Sequence, residues 1–164
     1  YNDSIMSEII KRFEEEDAIV VYMSDHGEEA FGDGLEIFGR NHSAQIDFRL
    51  AHEEYEIPLW IWYSKEYARK HPDIVKQVKN ASNRPFMTDN ISQVLLYLAG
   101  IQSPHYRDEY NVLSDGYNAR RERIIKNTVN YDELREDHEK ELKEKEELEK
   151  KEKIKEQQKK KKRR

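Results

Sequence analysis

Apolar residues follow different patterns along this chain, and each pattern predicts a different element. In residues 5–13 they fall at positions 5, 6, 9, 10 and 13, which is the spacing of one helical face. Residues 18–23, AIVVYM, form instead a continuous apolar run, typical of a strand that is buried on both faces in a parallel sheet. Residues 57–63, IPLWIWY, are a second run of this kind.

The intervening and following segments predict a loop and further helices. Residues 27–56 contain four glycines among polar residues and are expected to be a loop. Residues 64–79 predict helix interrupted at Pro72, which can begin a new helix. A further helix is predicted between an N-cap at Asp89 and a stop at Gly100, on the apolar spacing of Ile91, Val94, Leu95 and Leu98. Helices that alternate with buried strands predict an α/β protein with a parallel sheet.

From Asp132 onward the chain is mostly charged. Residues 132–164 contain 14 Lys/Arg and 12 Asp/Glu, which leaves 15 and 22 for residues 1–131, so the tail carries +2 and the front part −7. We expect a globular segment, 1–131, and a tail, 132–164, that is helical or disordered. The tail ends in KKKKRR, which can attract an anionic surface, but it has no aromatic residues to stack on bases, and no nucleic-acid partner is expected.

Composition excludes several classes of protein. No apolar run approaches the ~20 residues of a membrane span, and the polar, acidic start does not resemble a signal peptide. The absence of cysteine excludes disulfide scaffolds, thiolate metal sites and cysteine catalysis. The chain begins with Tyr1 rather than Met, and we expect it to be a fragment.

Candidate chemistry lies directly after the first predicted strand, in the sequence SDHGE that begins at Ser24. Ligands bind at the carboxyl ends of strands in open parallel sheets, and Gly27 allows a turn there. Asp25 and His26 would supply a carboxylate oxygen and an imidazole nitrogen, a partial ligand set for Zn²⁺. His42 follows 16 residues after His26, in GRNHS, across a segment that can fold back over the same site. Either feature alone also occurs in ordinary hydrogen-bonded loops, but this order after this strand is specific.

The remaining histidines and the arginines of this chain are mostly expected to have surface roles. The remaining histidines lie in polar contexts and are expected at the surface: His52, His71, His105 and His138. The basic cluster at 120–123 is expected to form surface salt bridges rather than a phosphate clamp. Arg40, close to His42, is able to pair with a phosphate.

The segment AIVVYMSDHGEEAFGDG, followed by GRNH, resembles the C-terminal metal-binding segment of sulfatase-like enzymes of the alkaline phosphatase superfamily. Within that superfamily it is most similar to the phosphoethanolamine transferases that modify bacterial envelope glycolipids. The similarity continues in register to about residue 131, through IPLWIWYSKEY, FMTDNISQVLLYLAGI and YNVLSDGYNARRERII. It implies an incomplete α/β sandwich of alkaline-phosphatase/sulfatase type with a parallel sheet. In that view residues 1–131 are the C-terminal part of the catalytic domain, and a charged extension follows them.

The resemblance also implies roles for individual residues. Asp25 and His26 match the pair that ligates the catalytic Zn²⁺, and His42 matches a histidine that contacts substrate phosphate or a second metal. The implied reaction transfers phosphoethanolamine from a phospholipid to a phosphate or sugar of lipid A or another envelope glycan. It takes place at the periplasmic face of the bacterial inner membrane, and zinc would stabilise charge on the phosphoryl oxygens.

No catalytic residue is identifiable in this chain. In the family an upstream threonine takes up the phosphoethanolamine group, and that threonine, a further acidic ligand and the N-terminal membrane helices have no counterpart here. Thr88 sits in a helix-capping context and Thr128 lies just ahead of the tail. We therefore expect the chain alone to be inactive, with the rest of the catalytic domain and the membrane helices as missing partners, besides the phospholipid donor and glycolipid acceptor.

Two alternatives stay open. One is a sulfatase or phosphodiesterase of the same superfamily, which would release its product to water. The other is a non-catalytic fragment or interaction module, in which the charged tail contacts a partner or an anionic surface.

Overall fold

The computed structural model describes residues 1–30, 38–40 and 45–162, without the side chains of Phe38, Glu156 and residues 159–162. The chain divides into two compact units. The first unit comprises Tyr1–His26 and Ile57–Arg121, and the second comprises Gly27–Glu56 and Glu122–Arg164. Each unit has an apolar cluster of its own.

The described residues alternate helices with short strands. The helices are α1 (Asn2–Lys11), α2 (Phe48–Tyr55), α3 (Lys65–Lys70), α4 (Pro72–Ala81), α5 (Ile91–Leu98) and α6 (Tyr131–Lys162). The strands are β1 (Ile19–Met23), β2 (Glu29–Ala30), β3 (Phe38–Gly39), β4 (Leu59–Tyr63), β5 (Ile124–Ile125) and β6 (Val129–Asn130). Among these helices, none combines the length and the apolar character that a membrane crossing requires.

The two predicted strands are present, but they pair antiparallel rather than parallel. In the β1–β4 sheet Ile19 lies opposite Tyr63 and Met23 opposite Leu59. The other sheets of the described residues, β2–β3 and β5–β6, are also two-stranded and antiparallel. A continuous apolar run indicates burial and does not fix strand direction, which depends on how the chain returns between the strands. The carboxyl end of β1 therefore lies beside the amino end of β4, and most residues of both strands are only half-buried.

The core of the first unit is aliphatic. Val94 of α5 and Leu113 are each 1% exposed, and they pack with Ala81 of α4 and Val112. Local signals place these helices as predicted, because Pro72 opens α4 and a glycine in the left-handed region, Gly100 at φ +65°, follows α5.

One predicted cap is wrong. Asp89 was expected to cap the helix that begins near residue 91, but it lies in a short 3₁₀ turn, Thr88–Asn90, and makes no capping bond. Its carboxylate instead forms a two-pronged ion pair with the Arg121 guanidinium. The guanidinium gives the carboxylate two charge-assisted hydrogen bonds in a bidentate geometry, which accounts for the choice of partner.

The second unit contains a helix where a loop was expected. Helix α2 begins after Asp47, whose side chain accepts a hydrogen bond from the Leu50 backbone N–H at 2.9 Å. Ala51 of α2 is fully buried and packs with Ile125 and Tyr131. The glycines and charges of residues 27–56 obscured this helix, although its N-cap is a recognisable local signal.

Helix α6 begins as part of the second unit. The Asn130 side-chain oxygen accepts hydrogen bonds from the backbone N–H groups of Asp132 (3.0 Å) and Glu133 (3.4 Å), and so caps the helix. Tyr131 in the first turn is 4% exposed. The part of the tail that the structure describes is thus helical, and its first turn is packed against the protein.

Candidate metal centre

The end of β1 turns through a short hydrogen-bonded segment. The Ser24 backbone N–H donates to the Pro58 carbonyl at 3.3 Å, which extends the pairing of β1 with the chain ahead of β4. The Ser24 hydroxyl then donates to the His26 carbonyl at 2.7 Å. This bond across two residues bends the chain at the point where the strand ends, and it fixes the backbone that carries Asp25 and His26.

Asp25 and His26 lie together at this strand end and face solvent. The Asp25 Oδ1 accepts the His26 backbone N–H at 3.1 Å, and its Oδ2 lies 3.8 Å from His26 Nε2. The Asp25 side chain is 88% exposed and the His26 side chain 42%. Both side chains thus reach solvent, with the two atoms close together.

This pair fits a zinc ion as a partial ligand set. Carboxylate oxygen and imidazole nitrogen are both ordinary zinc ligands, and a tetrahedral ion with bonds of about 2.0–2.1 Å keeps two ligand atoms roughly 3.3 Å apart. The observed 3.8 Å between Oδ2 and Nε2 requires only a small rotation of the exposed aspartate. A complete site needs further ligands, and the described residues contain no group of three or more ligating side chains.

Gly27 serves a different purpose from the one predicted. It was expected to permit a turn, but its φ is outside the left-handed region, where only Gly39 and Gly100 are found among the described glycines. Its backbone N–H donates to the Glu54 carbonyl at 3.1 Å, and a Cβ at this position would overlap the Glu53 backbone oxygen. Glycine is required here for a close approach of backbone to helix α2.

Two buried carboxylates follow the motif in the second unit, and sequence reasoning missed both. Glu29 of β2 is 0% exposed and Glu54 of α2 is 1% exposed. Glutamate is rarely buried to this extent without partners, and both residues have them. In the sequence the two residues are part of ordinary acidic stretches, which give no local signal of burial.

The remaining candidates divide into residues outside and inside the described part of the chain. His42 lies outside the described residues. Thr88 belongs to the 3₁₀ turn ahead of α5, and its side chain does not cap it. Thr128 is exposed in the turn between β5 and β6, where its hydroxyl donates to the Lys126 carbonyl at 3.4 Å.

The arginines and histidines are largely structural. In the first unit Arg121 pairs with Asp89, and in the second Arg123 pairs with Asp132, as expected for surface salt bridges. His52 and His105 are exposed, as predicted. The other two described histidines outside the motif are half-buried against aromatic rings: His138 stacks on Phe48, and His71 meets Tyr67 at a tilted angle.

Comparison with known sequences gives one family and one group of relatives. The sulfatase family model matches residues 1–101. Phosphoethanolamine transferase EptA of Salmonella typhimurium is 30% identical over 95 residues, and EptA of Escherichia coli K12 is 26% identical over the same length. These matches cover 57% of this chain but only 16% of the relatives, so the chain spans about a sixth of their length.

Solved structures show the same fold. The C-terminal periplasmic domain of EptC from Escherichia coli superposes with a TM-score of 0.60 at 24% identity, over 80% of this chain and 37% of that domain. A second structure of that domain is a complex with Zn. The corresponding domain of EptC from Campylobacter jejuni gives a TM-score of 0.55 over 72% of this chain. The predicted fold class, an incomplete α/β domain of alkaline-phosphatase/sulfatase type, is thereby confirmed.

Proposed function

Because this chain belongs to the sulfatase family, we propose that it supplies part of the zinc site of a phosphoethanolamine transferase. The observation that carries the proposal is the solvent-facing pair of Asp25 and His26 at the end of β1, inside the matched segment. The similarity to EptA confirms the resemblance recognised in the sequence. Zinc itself, the substrates and the reaction are parts of the proposal.

The proposed reaction is a transfer between two oxygens. In net terms, the bond between phosphorus and the diacylglycerol oxygen of a phospholipid breaks, and a bond forms between phosphorus and an oxygen of a lipid A or other envelope glycan phosphate or sugar. The proton lost from the acceptor oxygen ends on the diacylglycerol, which leaves as an alcohol. Zinc, when bound, would neutralise charge on the phosphoryl oxygens and lower the pKa of a hydroxyl that coordinates it.

The residues of this chain would hold the ion and set its position. Asp25 offers one carboxylate oxygen, while its other oxygen can keep the bond to the His26 backbone N–H. His26 offers its imidazole Nε2 as the second ligand atom. The bond from Ser24 to the His26 carbonyl keeps both donors on one side of the turn. His42 is proposed to contact the substrate phosphate or a second metal.

The proposed setting is the periplasmic face of the bacterial inner membrane. It is supported by the structural neighbours, which are described as periplasmic domains. The proposal requires membrane attachment and the nucleophile from a part of the protein outside the described residues. The chain alone is therefore proposed to be inactive.

The test uses the natural polypeptide that carries this sequence, purified with its metal. Asp25→Asn and His26→Gln should each lower the zinc content, measured by mass spectrometry, and reduce transfer to lipid A at least about a hundredfold. Asp115→Asn and His105→Gln remove the same chemical groups from exposed positions away from the motif, and should leave both measurements unchanged.

The two readouts separate the alternatives. Full zinc content and full activity in both variants would refute the proposal. If the variants lose zinc but the parent protein releases free phosphoethanolamine or sulfate to water, the site is confirmed and the reaction is hydrolysis. A parent protein that holds no zinc and has no activity would favour the non-catalytic module.

A further inference from the structure

The described part of the charged tail is a helix that packs against the protein only near its start. At its start Tyr131 is buried, and the His138 ring stacks on Phe48 of α2 with centroids 5.0 Å apart. Beyond these contacts every described side chain from residue 139 onward is exposed. The tail is therefore docked at one end only.

Nothing in the exposed part provides a seam for another helix. Leu142, Leu148 and Ile154 are 46%, 59% and 54% exposed. At about 100° per residue, a spacing of six places successive members roughly 240° apart, so the three point to three different sides. A coiled-coil partner would require apolar residues on one side, which this helix lacks.

The charged residues are instead divided along the tail, with mostly acidic residues first and mostly basic residues after them. Residues 132–149 contain 10 acidic and 4 basic residues, a net charge of −6, whereas residues 150–164 contain 10 basic and 2 acidic residues, a net charge of +8. This order stabilises the helix, because acidic groups lie near its positive amino end and basic groups near its negative carboxyl end. It also leaves a strongly basic free end.

Among the side chains that the structure describes, ion pairs within the helix involve the first basic residues of this segment. Lys150, Lys151 and Lys153 lie 3.6–3.8 Å from glutamates one turn earlier, Glu146, Glu147 and Glu149. Residues 154–164 then contain seven basic residues and one acidic residue, a net charge of +6. These charges have too few acidic neighbours along the chain to balance them.

The helix also separates its basic end from the docked end. From His138 to Lys162 it rises roughly 36 Å, at about 1.5 Å per residue. This length is several times the Debye length of about 8 Å at physiological ionic strength. The acidic residues near the docked end are therefore screened from the basic end, which is available to an external anionic partner.

We propose that the basic carboxyl-terminal segment of the sequence, residues 154–164, docks on an anionic lipid surface. A planar surface meets only the end of the helix, whereas a long nucleic acid lying along α6 would also meet the acidic residues of 132–149 and be repelled. No Phe, Tyr or Trp is present in 132–164 to stack on bases. A cluster of this size is the electrostatic signature of binding to anionic headgroups.

The test measures binding of the full chain to vesicles of phosphatidylcholine mixed with phosphatidylglycerol, by co-sedimentation. K160Q/K161Q/K162Q should lower the partition constant at least about tenfold, because each basic residue contributes several-fold near an anionic surface. The matched control, K140Q/K143Q/K145Q, removes the same charge from the same helix and should change binding less than about twofold. Glutamine preserves helix propensity, which circular dichroism verifies.

Each outcome is decisive, and none depends on zinc or activity. Binding that vanishes on pure phosphatidylcholine and weakens with added salt supports the proposal. Equal loss in both triple variants, or equal binding to neutral vesicles, overturns it. Tighter binding to polyuridylic acid than to vesicles at the same phosphate concentration would replace the lipid by a nucleic acid.

Discussion

The two units of this chain are stabilised in different ways. The buried cluster of the first unit consists of aliphatic side chains: Ala81, Val94, Val112 and Leu113. In the second unit the cluster of Ala51, Ile125 and Tyr131 accompanies two fully buried glutamates. Tyr131 itself donates a hydrogen bond from its hydroxyl to the Glu56 carboxylate.

This difference predicts two kinds of sensitivity. Burial of aliphatic area does not depend on protonation, so the core of the first unit should respond to loss of volume and little to pH. Polar partners around Tyr131 make the second unit sensitive to loss of a single donor or charge. The motif spans both regions along the sequence, since Asp25 and His26 end one segment of the first unit and Gly27 begins the second.

The largest expected effect is loss of volume in the first unit. Leu113→Ala should lower the free energy of unfolding by about 2–5 kcal/mol, because it leaves a cavity among side chains that are almost fully buried. Hydrogen exchange should show the loss within Ile57–Arg121. The control Leu142→Ala, at a position 46% exposed, should cost less than about 0.5 kcal/mol. A similar cost for both variants would contradict the assignment of this core.

The next largest effect concerns Gly27, which lies close to the backbone of α2 and directly follows Asp25 and His26. Gly27→Ala should destabilise the second unit by about 1–3 kcal/mol, because the new Cβ overlaps the Glu53 backbone oxygen, which cannot move without shifting α2. Gly116→Ala is the matched control, since the atoms nearest its Cβ are side-chain atoms of Asp108 and Ser114 rather than backbone atoms. Thermal unfolding measures both, and a larger loss for Gly116→Ala would show that α2 tolerates the shift.

Features with local sequence signals were predicted correctly. The two apolar runs are strands β1 and β4, Pro72 begins a helix, and Gly100 ends one. Asp25 and His26 also lie where the sequence placed them, directly after β1, because adjacent residues at a strand end need no long-range information to be located.

Features that depend on long-range packing were not predicted. The antiparallel direction of β1 and β4 is set by the path of the chain between them, which the apolar runs do not encode. Helix α2 was missed because its burial relies on Ile125 and Tyr131, more than seventy residues downstream. Glu29 was not singled out for the same reason, since the burial of a glutamate is decided by distant partners.

A smaller loss of stability is expected when the Tyr131 hydroxyl, at the start of α6, is removed. Tyr131→Phe removes the hydroxyl that donates to Glu56 and should cost about 0.5–1.5 kcal/mol, because water can partly replace the donor at a carboxylate that is 47% exposed. Burial and the Glu56 carboxylate raise the pKa of Tyr131, so Tyr131 should stay protonated in the native protein at a pH where exposed tyrosines ionise. Tyr110→Phe, at an exposed ring, is the control, and an equal cost there would contradict the prediction.

The smallest expected effect is a decrease in the stability of the second unit at acidic pH. The Arg123 guanidinium donates to Asp132 and lowers the pKa of that carboxyl below its ordinary 3.8. A carboxyl whose pKa is lowered by folding contributes stability above its unfolded-state pKa, and that stability is lost as the pH falls through the folded-state pKa. The loss below about pH 4 should stay under about 1 kcal/mol, because Asp132 is 34% exposed. Asp132→Asn should remove this part of the acid dependence, and hydrogen exchange of the first turns of α6 measures it. The control is Asp137→Asn, which should leave the acid dependence unchanged because the Asp137 side chain is 72% exposed in its pair with Lys140. Identical acid profiles for Asp132→Asn and the parent chain would mean that the pair of Arg123 with Asp132 adds nothing measurable to the stability of the start of α6.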